Sequence, residues 1–72
     1  MPSELIAARL EKAEAVRLER LRRRLSQDQV GRMCVPAIDQ PAISRAELGA
    51  GNDTIYEAIA SALGIELPEV GE

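Results

Sequence analysis

The chain has no histidine, no tryptophan and no phenylalanine, and one cysteine and one tyrosine in 72 residues. Each absence removes a class of function. Without histidine there is no imidazole base, and Cys34 alone cannot complete a zinc site, so no metal and no cofactor are expected. One cysteine also makes no internal disulfide. It reads as a small apolar residue in a reducing compartment. The Gly49-Ala50-Gly51 step is too short to cradle a phosphate, and no carboxylate pair has a cleft to work in. No catalytic residue is assigned, and the chain reads as a non-enzyme. No apolar run approaches the ~20 residues of a membrane span. The N-terminus lacks the basic-then-apolar profile of a signal peptide. A cytoplasmic, nucleoid-associated location is the expectation.

What remains is helix-forming. Ala, Leu, Glu and Arg dominate, and all four are strong helix formers. With so few aromatics the core must be Leu, Ile, Val and Ala. Nothing alternates with period two for long enough to make a strand. An all-α fold in a single domain, 1–72, follows. A chain this short buries roughly 60% of its unfolded surface, so a partner would help it.

Charge is divided along the chain. Residues 1 to 45 carry all nine basic residues against six acids, a net +3, whereas residues 46 to 72 carry six acids and no base. The basic density peaks at Arg17, Arg20, Arg22, Arg23 and Arg24. Such polarity can turn a cationic face to DNA and an acidic tail to solvent, despite the overall net charge of −3.

Caps and breakers divide the chain into helices. A long first helix is expected over 4–24, opened by Ser3. Leu10, Glu14, Leu18, Leu21 and Leu25 follow a 3–4 spacing along it, with Ala7 and Ala13 beside them. Residues 4 to 13 read as an extension beyond the core, and an apolar stripe there suggests a helix-to-helix dimer contact. Ser26-x-x-Gln29 is a capping box that starts a second helix over 27–34, with Val30 and Met33 inward. Pro36 ends it. Asp39 caps a third helix over 40–48, with Pro41 in its first turn and Gly49 at its close. Thr54-x-x-Glu57 is a second capping box, with Asn52 and Asp53 as rival caps, for a fourth helix over 54–64. Ile55, Ile59, Ala62 and Leu63 share a face of that helix. Ile65 and Leu67 fold back on the core, and 68–72 is a loose acidic tail.

The third helix carries the chemistry. At 100° per residue, Gln40, Pro41, Ser44 and Arg45 fall within an arc of about 140°, opposite Ile43 and Ala46. Gln can bond adenine N6 and N7, Arg guanine O6 and N7 or a phosphate, and Ser either. Ala42 is small enough to approach a thymine methyl.

Leu25-Ser26-Gln27, Gln40-Pro41-Ala42-Ile43-Ser44-Arg45, Glu47, Gly49 and Ala60-x-x-Leu63-Gly64 together resemble the Cro/lambda-repressor-like helix-turn-helix DNA-binding family. The resemblance covers about Arg20 to Leu67, two-thirds of the chain. It implies a Cro/lambda-repressor-like domain of four helices, or five, with an extended first helix. It implies that Gln27 bonds a phosphate and buttresses Gln40, that Gln40, Pro41, Ser44 and Arg45 face the major groove, and that Asn52 meets a phosphate. It further implies a structural ion pair between Arg20 and Glu47. Two features depart from the family pattern. The segment Cys34–Asp39 is about two residues longer than the usual turn and lacks its glycine, and the C-terminal part through which members often dimerise is cut short.

Two functions are therefore expected. The first is a sequence-specific regulator, phage Cro-like or antitoxin-like, that binds a palindromic double-stranded DNA operator as a homodimer, with recognition helices ~34 Å apart. The second is a protein-interaction module on the same scaffold, such as an antitoxin, an anti-repressor or a phage inhibitor of a host protein. In that case the partner is a toxin or a host protein.

Overall fold

The structure, a computed structural model, describes residues 3–68, with side chains from residue 8 onward. Among these residues all regular structure is helical: α1 (Ser3–Arg22), α2 (Gln27–Met33), α3 (Gln40–Glu47) and α4 (Asp53–Leu63). The fold class is all-α, as the composition requires. Residues 69–72 of the expected tail lie outside the described residues. No helix among them is long and apolar enough to cross a membrane.

Local sequence explains the helix ends. Ser26 opens α2 with a reciprocal capping box, its hydroxyl accepting from Gln29 N at 3.0 Å while Gln29 Oε1 accepts from Ser26 N at 2.7 Å. Asp39 caps α3 through Ala42 N at 3.2 Å. At α4 the rivalry of caps resolves to Asn52, whose Oδ1 accepts from Ile55 N at 2.9 Å. The helix thus opens at Asp53, and the Thr54 box does not form. α1 includes Ser3 within the helix, one residue earlier than expected.

Three helices close in the same way, with a left-handed residue whose follower bonds back to a carbonyl five residues earlier. Leu25 N meets Arg20 O at 3.1 Å, Ala50 N meets Arg45 O at 2.9 Å, and Ile65 N meets Ala60 O at 3.0 Å. The left-handed residues are Arg24 (φ 56°), Gly49 (φ 90°) and Gly64 (φ 68°). Arg24 therefore occupies a position where the other two helices use glycine. It also ends α1 at Arg22, two residues short of the expected 24.

The core comprises Ala13 and Val16 of α1, Val30 and Cys34 around α2, Ile43 and Ala46 of α3, and Tyr56, Ile59 and Leu63 of α4. Fully burying an aliphatic side chain contributes about 1.5–3 kcal/mol, so these few residues dominate the stability of so short a chain. Ile65 and Leu67 pack against the cluster, as expected of a segment folding back.

Three expectations about facing are corrected. In α1, Leu10, Leu18 and Leu21 are 53, 52 and 46% exposed, while Ala13 and Val16 are buried. The small residues point inward because Ala13, Ala46 and Ala60 let α1, α3 and α4 approach closely, and the larger leucines are left outside. Residues 8 to 13 are not a free extension. Lys12 pairs with Asp53 at the start of α4 (3.1 Å), and Leu10 lies against Gly49. In α2, Met33 is exposed and Cys34 takes the inward place, one turn after Val30. In α4, Ile59 and Leu63 of the expected face are buried, Tyr56 and Ala60 are buried with them, and Ile55 and Ala62 pack at the edge.

Tyr56, the lone aromatic, sits at the middle of this core. It is fully buried, and its hydroxyl donates to Ala46 O at 2.7 Å and accepts from Gly51 N at 3.3 Å. The ring fills the centre while its polar tip ties the end of α3 to the loop before α4.

Candidate nucleic-acid interface

α2 and α3 are joined by residues 34–39, in which the Val35–Pro36 peptide is cis. The two helices are held in contact by backbone as well as side chains. Ile38 N donates to Gly31 O at 2.9 Å, and a Cβ on Gly31 would stand 2.0 Å from Ile38 O. Glycine at position 31 is what allows this segment to fold back over α2. Val35 projects at 93% exposure.

On α3 the division of faces follows the helical period. Ile43 and Ala46 are fully buried, Gln40, Pro41 and Arg45 are exposed, and Ala42 and Ser44 are partly so. An amide, a hydroxyl and a guanidinium therefore share the outer surface of a short helix. Its inner surface is anchored in the core.

Behind this surface runs a chain of side-chain hydrogen bonds from α1 to the start of α3. The Arg20 guanidinium meets the Glu47 carboxylate in a two-pronged pair, Nε to Oε2 at 2.6 Å and Nη2 to Oε1 at 2.9 Å, and Nη1 donates to Leu25 O at 2.9 Å. The two side chains are 13 and 6% exposed. Hydrogen bonding to Glu47 raises the Arg20 pKa above its ordinary value, against a smaller opposing effect of burial. Glu47 Oε1 also accepts from Gln27 Nε2 at 3.1 Å, and Gln27 Oε1 in turn accepts from Gln40 Nε2. Four residues on three helices thus form one series, Arg20–Glu47–Gln27–Gln40. Each step is charge-assisted or fixes an amide rotamer. The buried end is rigid, and the exposed end is Gln40.

Asn52 spends its carbonyl oxygen on capping α4. Its amide nitrogen keeps its hydrogens for another acceptor. Gln27, by contrast, is not a cap, since both ends of its amide are taken by Glu47 and Gln40.

The basic run is less cationic than its composition. Arg22 and Arg23 both bond Glu19, Arg20 bonds Glu47, and Arg32 bonds Asp28 at 2.9 Å. The two guanidiniums, led by the hydrogen bond from Arg22, lower the Glu19 pKa to about 2. Among the described residues, Arg17, Arg24 and Arg45 make no ion pair within the chain. Arg24 stands three positions before Gln27 and Arg45 lies on the outer side of α3. The sequence signal that singles out Arg24 is its place after the last turn of α1, where glycine is the usual choice.

Cys34 donates its thiol to Val30 O at 3.4 Å, and burial pushes its pKa up. The protonated thiol is a core group and a poor nucleophile. No set of three or more metal-binding side chains lies together among the described residues. Comparison of the chain with protein-family models, with curated proteins and with solved structures found no match.

Proposed function

We propose that the protein is a sequence-specific DNA-binding regulator with a Cro/lambda-repressor-like helix-turn-helix, in which α3 enters the major groove and Gln27 and Asn52 approach the backbone. The observation that carries this reading is the Arg20–Glu47–Gln27–Gln40 series. A solvated helix face gains little from a buried ion pair that orients one exposed amide. A groove-reading amide gains a great deal, because its conformational entropy is spent before binding. Gln40, Ser44 and Arg45 then read base edges, Pro41 lies against the groove wall, and the unpaired Arg24 adds a phosphate contact beside Gln27.

The test is selection from a randomised duplex pool followed by fluorescence anisotropy on the enriched site at low and high salt. The expected result is an enriched sequence with two-fold symmetry and an affinity that falls steeply with salt. Gln40→Ala and Arg45→Ala should each cost about 1–3 kcal/mol of preference over random duplex, with helicity unchanged. An unenriched pool, or a flat salt dependence, overturns the proposal. A second reading, a protein-interaction module, is favoured by Val35 and Leu48, which are 93 and 77% exposed near either end of α3. It expects binding to a protein partner in nuclease-treated lysate that Val35→Ser removes, with no enriched DNA.

A further inference from the structure

α1 carries a second, largely exposed surface beside the one that faces the core. Ala13 and Val16 face the core. Turned about 100° from them, Leu10, Glu14, Arg17 and Leu21 are all exposed and fall within about 60° of one another at 100° per residue. Their 4-3-4 spacing is that of a helix seam. The two leucines stand at its ends and the two charges in its middle. Neither Glu14 nor Arg17 makes an ion pair within the described chain, although most other charged groups of α1 do.

This order is self-complementary in one direction only. In a two-fold antiparallel pair of α1 helices centred between residues 15 and 16, Leu10 faces Leu21 of the second copy, and Glu14 faces its Arg17. The same contacts repeat across the axis, as an isologous interface requires. A parallel pair in register would set Glu14 on Glu14 and Arg17 on Arg17. Leu18 borders the seam and lines a shallow groove with Leu10, Ala13, Glu14, Arg17 and Glu47.

We propose that the protein self-associates through this face, as an antiparallel α1–α1 pair with Leu10 against Leu21 and Glu14 against Arg17 of the second copy. The proposal rests on the dimeric part of the DNA-binding reading and supplies its surface. It is tested without DNA, so its failure leaves the contacts of one subunit with DNA untouched, and failure of DNA binding leaves the pairing intact.

The experiment is sedimentation equilibrium on the full chain, from low micromolar to near-millimolar protein, at low salt. The wild-type chain should reach a dimer. Glu14→Arg sets arginine against Arg17 twice per dimer, and Arg17→Glu sets glutamate against Glu14 twice. Each should weaken association by about tenfold or more. The double swap E14R/R17E restores opposite charges and should return the dissociation constant to within about threefold of wild type. Both positions are exposed and unpaired, so circular dichroism should show the variants folded. Leu10→Glu gives a second route to the same loss. A monomer throughout the range, single swaps equal to wild type, or a double swap as weak as the singles would overturn the antiparallel pair.

Discussion

Removing the Glu47 carboxylate should damage the fold and the candidate reading surface together. In Glu47→Gln the shape is kept, but one of the two acceptors facing Arg20 becomes an NH2 group. Arg20 is 13% exposed, and its third nitrogen, Nη1, already donates to Leu25 O. It is left as a poorly hydrated charge facing a donor. Breaking a fully buried pair costs about 3–5 kcal/mol, and the slight exposure here reduces this to about 2–4 kcal/mol. A 72-residue domain has in total about 4–11 kcal/mol. The loss is therefore a large fraction, and it should lower the melting temperature by roughly 10–25 °C. The assay is urea denaturation followed at 222 nm at one fixed protein concentration, on the cycle of wild type, Arg20→Met, Glu47→Gln and the double variant. The coupling should be about 2 kcal/mol, with the double variant less damaged than the sum of the singles. It should also survive high salt, because the pair is shielded from mobile ions. Additive losses, with coupling below about 0.5 kcal/mol, would refute the argument that this pair fastens α1 to α3.

Three further outcomes follow from the geometry. Gly31→Ala should cost at least about 1–3 kcal/mol in the same denaturation assay, because its Cβ would stand 2.0 Å from the Ile38 carbonyl oxygen and neither backbone can yield. Arg24→Gly should stabilise by about 0.5–1 kcal/mol, the relief of a left-handed arginine less the added freedom of the unfolded chain. If the DNA reading holds, it should also reduce the salt slope of binding by about one phosphate. The last turn of α1 should fray in acid. The folded Glu19 carboxyl lies below its ordinary value of 4.5, so its contribution is present above about 4.5 and is lost as pH falls through about 2. Amide exchange at Arg22 and Arg23 reports this, and Glu19→Gln should remove the dependence on pH.

The helix ends and the two sides of α3 were legible in the sequence for a local reason. Ser26, Asp39, Gly49 and Gly64 act on backbone groups only a few residues away. A cap therefore states its business within one turn of chain. The alternation of Gln40, Ser44 and Arg45 with Ile43 and Ala46 is likewise a matter of helical period. The pairing of Arg20 with Glu47 spans 27 residues, and only a resemblance to known domains pointed to it.

What the tertiary structure decided is which surface meets which. Leu10, Leu18 and Leu21 form as good an apolar stripe as Ala13 and Val16, and periodicity cannot rank them. The choice fell to the small residues because the cost of a gap between α1, α3 and α4 exceeds the gain from burying larger leucines at a distance. Tyr56 found its centre and its two hydrogen bonds only once α3 and the Gly51 loop were brought around it. The basic run Arg20 to Arg24 looked uniformly cationic in the chain, yet Glu47 pairs with Arg20 and one carboxylate, Glu19, is shared by Arg22 and Arg23, so only half of its four charges are balanced. Charge, like apolar surface, acquires its meaning from the groups that the fold sets opposite it, and those groups are distant in sequence or lie on the side of a helix that no local rule selects.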